Sequence, residues 1–97
     1  MAVRFEWDPD KAAANLRKHG VRFEIAAMAF ADPFALTEQD RVENGELRWQ
    51  TMGMAQGVLL LLVAHTFRDD EDDEVIRIIS ARPATRTERK RYEQEIR

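Results

Sequence analysis

The spacing of apolar and polar residues changes several times along the chain, and each change marks an element. Residues 3–7 (Val-Arg-Phe-Glu-Trp) alternate, which predicts a half-buried strand. Asp8-Pro9 then favours a helix start: the Asp carboxylate accepts first-turn N–H groups, and proline at the first helical position loses no hydrogen bond. The helix should run to about His19, where Gly20 supplies the left-handed residue that ends it. Lys11, Asn15 and Lys18 fall on one face of that helix, with His19 at the edge of its last turn. Phe23, Ala26, Ala27 and Phe30 form a narrow apolar stripe that predicts a second helix over residues 23–30, closed by Asp32-Pro33. A short extended piece should follow at 34–37, then a polar connection over 39–46 with Asn44-Gly45 as its turn.

From residue 47 the pattern becomes that of a sheet. Residues 47–54 alternate, while 58–66 are so continuously apolar that both faces must be covered, as in a central strand. Gln56-Gly57 turns between them. Residues 75–81 are rich in β-branched side chains and end at Pro83. The acidic run between these strands repels itself and is expected to form a mobile loop. Thr85 and Glu88 have the spacing of a capping box, opening a basic helix whose apolar anchors are Tyr92 and Ile96. The order is β-α-α-β-β-β-β-α. It defines an α+β fold, a mainly antiparallel sheet of about five strands with two N-terminal helices and one C-terminal helix, in a single domain over residues 1–97.

Composition changes this picture in three ways. There is no cysteine, which removes disulfides and thiolate metal sites and fits a reducing cytoplasm. The longest apolar run, residues 58–64, is far short of a membrane span, and the first ten residues hold Glu6, Asp8 and Asp10 rather than an apolar stretch. A cytoplasmic protein that is neither exported nor anchored is expected. The net charge of -3 hides a sorting of charge: residues 69–74 are all acidic, and without them 15 basic residues face 12 acidic ones. A basic C-terminal end can therefore engage an anionic partner although the whole chain is acidic.

Zinc-protease, nucleophile-elbow, Walker and dinucleotide motifs are all absent from the sequence. What remains is arginine and lysine with two histidines, a set suited to a phosphodiester: guanidinium forks onto phosphate oxygens and imidazole moves protons near neutral pH. Each candidate has a plainer explanation. The Lys11–Asn15–Lys18 stripe is also what an ordinary wet helix face looks like, and His19 also complements the helix dipole. His65 sits towards the end of the most apolar strand, either as a core-edge histidine bonded to backbone or as a group where strand meets loop. Arg48, Arg77 and Arg82 lie in or beside the later strands and need a carboxylate, a phosphate or solvent; Glu6, Asp8 and Glu24 are the internal acids that could serve. In a regular strand Arg77 and Arg82 point to opposite faces, so sharing a site requires a bend, a bulge or an early strand end. Trp7 and Trp49 read as core rather than as base-stacking platforms.

Five segments in order resemble the BrnT toxins of bacterial BrnT/BrnA type II toxin–antitoxin systems. They are Phe5-Glu6-Trp7-Asp8-Pro9 with Lys11-Ala12 and Asn15; Lys18-His19-Gly20-Val21 with Phe23-Glu24; residues 61–66 (Leu-Leu-Val-Ala-His-Thr); residues 77–82 (Arg-Ile-Ile-Ser-Ala-Arg) with Ala84-Thr85; and Glu88-Arg89 with Tyr92. Arg22 and Ile25 depart from the family pattern, which bears on local helix geometry. The resemblance implies a RelE-like fold and a ribonuclease that inhibits translation when free. It also implies neutralisation in a hetero-oligomer by a BrnA-type antitoxin, whose ribbon-helix-helix part provides the only contact with DNA. Expected catalytic residues are His65, Arg77, Arg82, Arg48 and His19; expected RNA contacts are Lys11, Lys18 and Tyr92, joined by Arg86 and Arg89 of the basic helix. Cleavage by attack of the ribose 2′-oxygen would need no metal or other cofactor. The alternative is a non-catalytic module that uses the same cations to bind nucleic acid or protein.

Overall fold

A computed structural model describes residues 2–95. The chain forms β1 (Val3–Glu6), α1 (Pro9–His19), α2 (Phe23–Met28) with a 3-10 turn at Ala29–Ala31, β2 (Leu36–Glu43), β3 (Glu46–Ala55), β4 (Leu59–Asp70), β5 (Asp73–Pro83) and α3 (Arg86–Glu95). The strands make one sheet in the order β1-β5-β4-β3-β2. β2 to β5 are a meander of antiparallel neighbours, and β1 lies parallel to β5, so the sheet is mixed.

The α1 caps are those its sequence calls for. The Asp8 side chain accepts from Asp10 N–H at 2.8 Å, and Gly20 has φ +71° with its N–H on the Leu16 carbonyl. Thr85 and Glu88 close the capping box of α3 in both directions, at 2.8 and 3.2 Å. Ile96, expected to anchor α3 beside Tyr92, lies outside the described residues.

Three expectations are corrected. The extended piece expected at 34–37 is the start of a longer strand, β2, which runs through most of the polar connection to Glu43; most of its side chains are exposed, and as an edge strand with little burial it carries no alternating apolar signal. Its Asn44-Gly45 turn is where the sequence places it, and both of those residues have positive φ, as a two-residue hairpin turn requires. The second helix is α-helical only to Met28 and tightens into the 3-10 turn. The acidic run is not a mobile loop. Asp69 and Asp70 end β4, Asp73 and Glu74 begin β5, and only Glu71 and Asp72 turn. The repulsion is offset in part by a cation that the sequence places far away: Arg4 pairs with Asp70 and lies 3.6 Å from Asp73.

The sheet has two unlike faces. Odd-numbered β4 residues Leu61 and Val63 pack with Ile78 and Ala81 of β5 under Phe23 and Ala26 of α2, forming the main core. Even-numbered residues point the other way. On that second face α3 covers one end, where Tyr92 packs with Met52 and Leu60. Gly53 permits the close approach of β3 to the 3-10 turn: a Cβ there would stand 2.3 Å from the Ala29 carbonyl oxygen.

Candidate nucleic-acid interface

The uncovered part of the second face is where the cations gather. A β-bulge creates this arrangement. Ala64 pairs with Ser80 and His65 with Ile78, which leaves Ile79 as an extra residue in β5. Arg77 is opposite Thr66 and Arg82 opposite Leu62, positions of equal parity in β4, so the two arginines share a face despite their odd separation. Arg48, one residue before the Trp49–His65 pair, points to that face from β3.

α1 flanks the same face. β1 reaches only as far as Arg77 along β5, and beyond it Asn15 takes over the free strand edge. Its Nδ2 donates to the Ala81 carbonyl at 2.9 Å and the Val21 carbonyl at 3.0 Å, and its Oδ1 accepts from Ala81 N–H at 3.0 Å. Asn15 is therefore a buried clamp rather than part of a wet stripe, and sequence spacing alone does not distinguish the two. The clamp sets Lys11, Lys18 and His19 beside the bulge. Two hollows of about 290 Å³ each share Lys11, Ile79 and Ser80; one continues to Lys18 and His19, the other to Arg48 and Asn44. Together they make one groove across the sheet. Ser80 and the β2 residues Asp40, Arg41 and Glu43 also line the groove and were missed by sequence reasoning, because a serine in a β-branched strand and charges in a polar stretch carry no motif.

The expected site residues divide into three groups. Lys11, Lys18, His19 and Arg48 line the groove. Among the described residues the first three enter no ion pair. Arg48 has a side chain only 13% exposed, a buried Nε without a hydrogen-bond partner, and one carboxylate, Glu43, at 3.7 Å. Arg77 and Arg82 share the groove's face but are already paired, with Glu46 and Glu88 rather than with Glu6, Asp8 or Glu24. The Arg82–Glu88 pair is a two-bond fork at 2.8 and 2.9 Å. Arg82 holds the Glu88 carboxyl down at about 2, aided by the Thr85 N–H and opposed by partial burial.

The third group lies away from the groove. Arg86 and Arg89 are exposed on α3. Tyr92, expected to touch RNA, is buried; its hydroxyl donates to Asp32, and burial and that bond push the phenol up to about 12. It anchors α3. His65 is fully buried on the opposite side of the sheet, not where strand meets loop. Its Nε2 is 2.7 Å from the Thr51 hydroxyl, and the rings of Phe30 and Phe67 stand edge-on at 4.8 Å. A general base needs contact with the proton it takes, and His65 has none with the groove.

The burial of His65 has a measurable consequence. Burial lowers its pKa from 6.5 to about 4. Above pH 6.5 the ring is neutral folded or unfolded. As pH falls through the unfolded value, only the unfolded chain takes up the proton, so stability declines between pH 6.5 and about 4, by up to about 3 kcal/mol. Glu88, with its folded pKa at about 2, contributes stability that is lost only below its ordinary value of 4.5, so the window from 6.5 to 4.5 belongs to the histidine. Urea denaturation at pH 7.5 and 4.5 should show this loss in the wild type and a much smaller one in His65→Gln.

A mixed five-stranded sheet with helices on one face and α3 across the end of the other is a fold with a solved counterpart. The crystal structure of the Brucella abortus ribonuclease toxin, BrnT, superposes with a TM-score of 0.56 at 20% identity, covering 89% of this chain and 99% of that one. The two share a fold. Residues 7–88 match the family described as "Ribonuclease toxin, BrnT, of type II toxin-antitoxin system", and the chain belongs to that family. Membership implies an antitoxin partner. No curated protein matches the chain, and among the described residues no helix is long and apolar enough to cross a membrane.

Proposed function

We propose that the protein is an endoribonuclease toxin that cuts single-stranded RNA without a metal. The observation that carries this is the groove in which Lys11, Lys18 and His19 of α1 face Arg48 across the bulged strand β5. The ribose 2′-oxygen attacks the adjacent phosphorus and the bond from phosphorus to the 5′-oxygen breaks, giving a 2′,3′-cyclic phosphate and a 5′-hydroxyl. His19 takes the 2′-hydroxyl proton, and water protonates the departing oxygen. Arg48 and Lys11 stabilise the charge growing on the phosphoryl oxygens, the contribution that is usually largest. Lys18 holds a flanking phosphate, and Arg86 and Arg89, exposed on α3 away from the groove, meet phosphates of RNA that reaches beyond it. Single strands are preferred because the 2′-oxygen must line up with the leaving group, which a regular duplex resists.

In this scheme His65 and Tyr92 keep the sheet and α3 in place, and Arg82 fixes the start of α3 through Glu88. Free toxin would inhibit translation in the cytoplasm. A BrnA-type antitoxin would neutralise it in a hetero-oligomer whose ribbon-helix-helix part contacts operator DNA. A non-catalytic binding module is the second possibility, favoured by the internal pairing of Arg77 and Arg82. Incubating the purified protein with single-stranded RNA should yield fragments ending in 2′,3′-cyclic phosphate, at a rate that EDTA leaves unchanged. Intact RNA at high protein concentration would support the binding module instead. Loss of cleavage in EDTA with rescue by a divalent ion would overturn the metal-free route.

A further inference from the structure

Two of the arginines facing the groove are covered by acids from a single hairpin, and those contacts differ in kind from the Arg82–Glu88 pair. Glu43 ends β2 and Glu46 begins β3, paired directly across the Asn44-Gly45 turn and pointing to the same face. Like charges opposite one another in a hairpin are destabilising, yet here each is turned onto a cation: Glu46 onto Arg77 and Glu43 onto Arg48. Glu88 is locked by four hydrogen bonds, two from Arg82 and two shared with Thr85 across the helix cap. Glu43 and Glu46 have no such lock. Their side chains are 43% and 46% exposed; among the described residues the one cation Glu46 meets is Arg77, and Glu43 reaches Arg41 and Arg48 at 3.5 and 3.7 Å. At Arg48 the acid is too far to hydrogen-bond, and the buried Nε stays unpartnered.

We infer that the Glu43 and Glu46 carboxylates occupy the positions of two RNA phosphates, and that RNA binds by displacing them from Arg48 and Arg77. This rests on the ribonuclease proposal and adds a regulation to it. The hairpin tip competes with substrate, so it sets the affinity threshold of the groove and disfavours weakly held anions. The Arg77–Glu46 pair is exposed on both sides and the Glu43 contact with Arg48 makes no hydrogen bond, so both are cheap to exchange, which suits a contact that must open for every substrate molecule.

The test measures binding of a short single-stranded 2′-O-methyl RNA, whose blocked 2′-oxygen prevents cleavage, to the folded full chain. Glu46→Gln and Glu43→Gln should each tighten binding by about two- to fivefold, the range set by the worth of an exposed pair, and the double variant by about tenfold. The gain from Glu46→Gln should vanish in an Arg77→Ala background. Thermal melts should place both variants at or above the wild type, since one of two facing like charges is gone. Unchanged or weaker binding by the folded double variant would overturn the inference while leaving the ribonuclease proposal standing. Failure of wild type and variants alike to bind this RNA would take both down.

Discussion

His19→Ala should lower RNA cleavage by about 10²- to 10⁴-fold, the usual contribution of a positioned general acid or base, while binding of 2′-O-methyl RNA changes little. Arg48→Ala should cost about 10²- to 10³-fold, in kcat more than in KM, because its contact strengthens as charge moves onto the phosphoryl oxygens. The reason lies in the fold. His19 lines the groove from the last turn of α1, and Arg48 enters it from β3 as a largely buried cation without a hydrogen bond from its Nε. Growth arrest on expression should disappear in both variants, and capture of the cognate antitoxin should survive. His65→Gln is the control: it sits on the opposite face, so cleavage per folded molecule should persist even where stability falls. Full cleavage by His19→Ala would remove the proton-transfer role assigned here. Parallel loss of RNA affinity and cleavage in Arg48→Ala would move that arginine from catalysis to binding.

How much of this was legible beforehand follows from where each side chain gets its information. Asp8, Pro9, Gly20, Thr85 and Glu88 act within one turn of their own position, so caps and helix ends could be read residue by residue. The central place of β4 was equally plain, because a strand apolar on both faces can sit nowhere else. The first residues of β2 were legible as the extended piece at 34–37, but its continuation to Glu43 was not, because an exposed edge strand is defined by its partner β3 rather than by its own pattern. The acidic run misled for a similar reason: local repulsion was visible, but the compensating Arg4 comes from the far end of the chain.

The candidate site shows the same division. Lys11, Lys18 and His19 could be grouped from helical spacing, since their shared surface is local. The common face of Arg77 and Arg82 depends on a one-residue bulge at Ile79, which no composition signals. His65 was drawn into the site by its chemistry, although the alternation of its own strand places it with Leu61 and Val63 in the core. Glu43 and Glu46 looked like solvated residues of a polar connection. Only the hairpin shows them facing the arginines.

Asn15→Ala should be the most destabilising of the substitutions considered, at about 3–5 kcal/mol, because it strands several buried backbone groups at once. The Ala81 N–H and the Ala81 and Val21 carbonyls all satisfy themselves on this one amide, and an alanine leaves the β5 edge and the turn after α1 without partners. Against a total stability of about 5–15 kcal/mol for an ordinary domain, such a loss is a large fraction. For a chain of this size it corresponds to a fall in Tm of about 20 °C, measurable by circular dichroism or calorimetry. Asn15→Asp should not rescue it: the carboxylate can still accept from Ala81 N–H but sets a negative charge against two carbonyl oxygens that need a donor. The effect on function should exceed the effect on folding. At a temperature where the variant remains folded, cleavage should still be reduced, since α1 is no longer pinned along the edge and Lys11, Lys18 and His19 lose their fixed distance from the bulge. An Asn15→Ala protein that melts within a few degrees of wild type would mean that water replaces the amide on that edge, and α1 would then owe its position to the apolar contacts of Ala12 with the core.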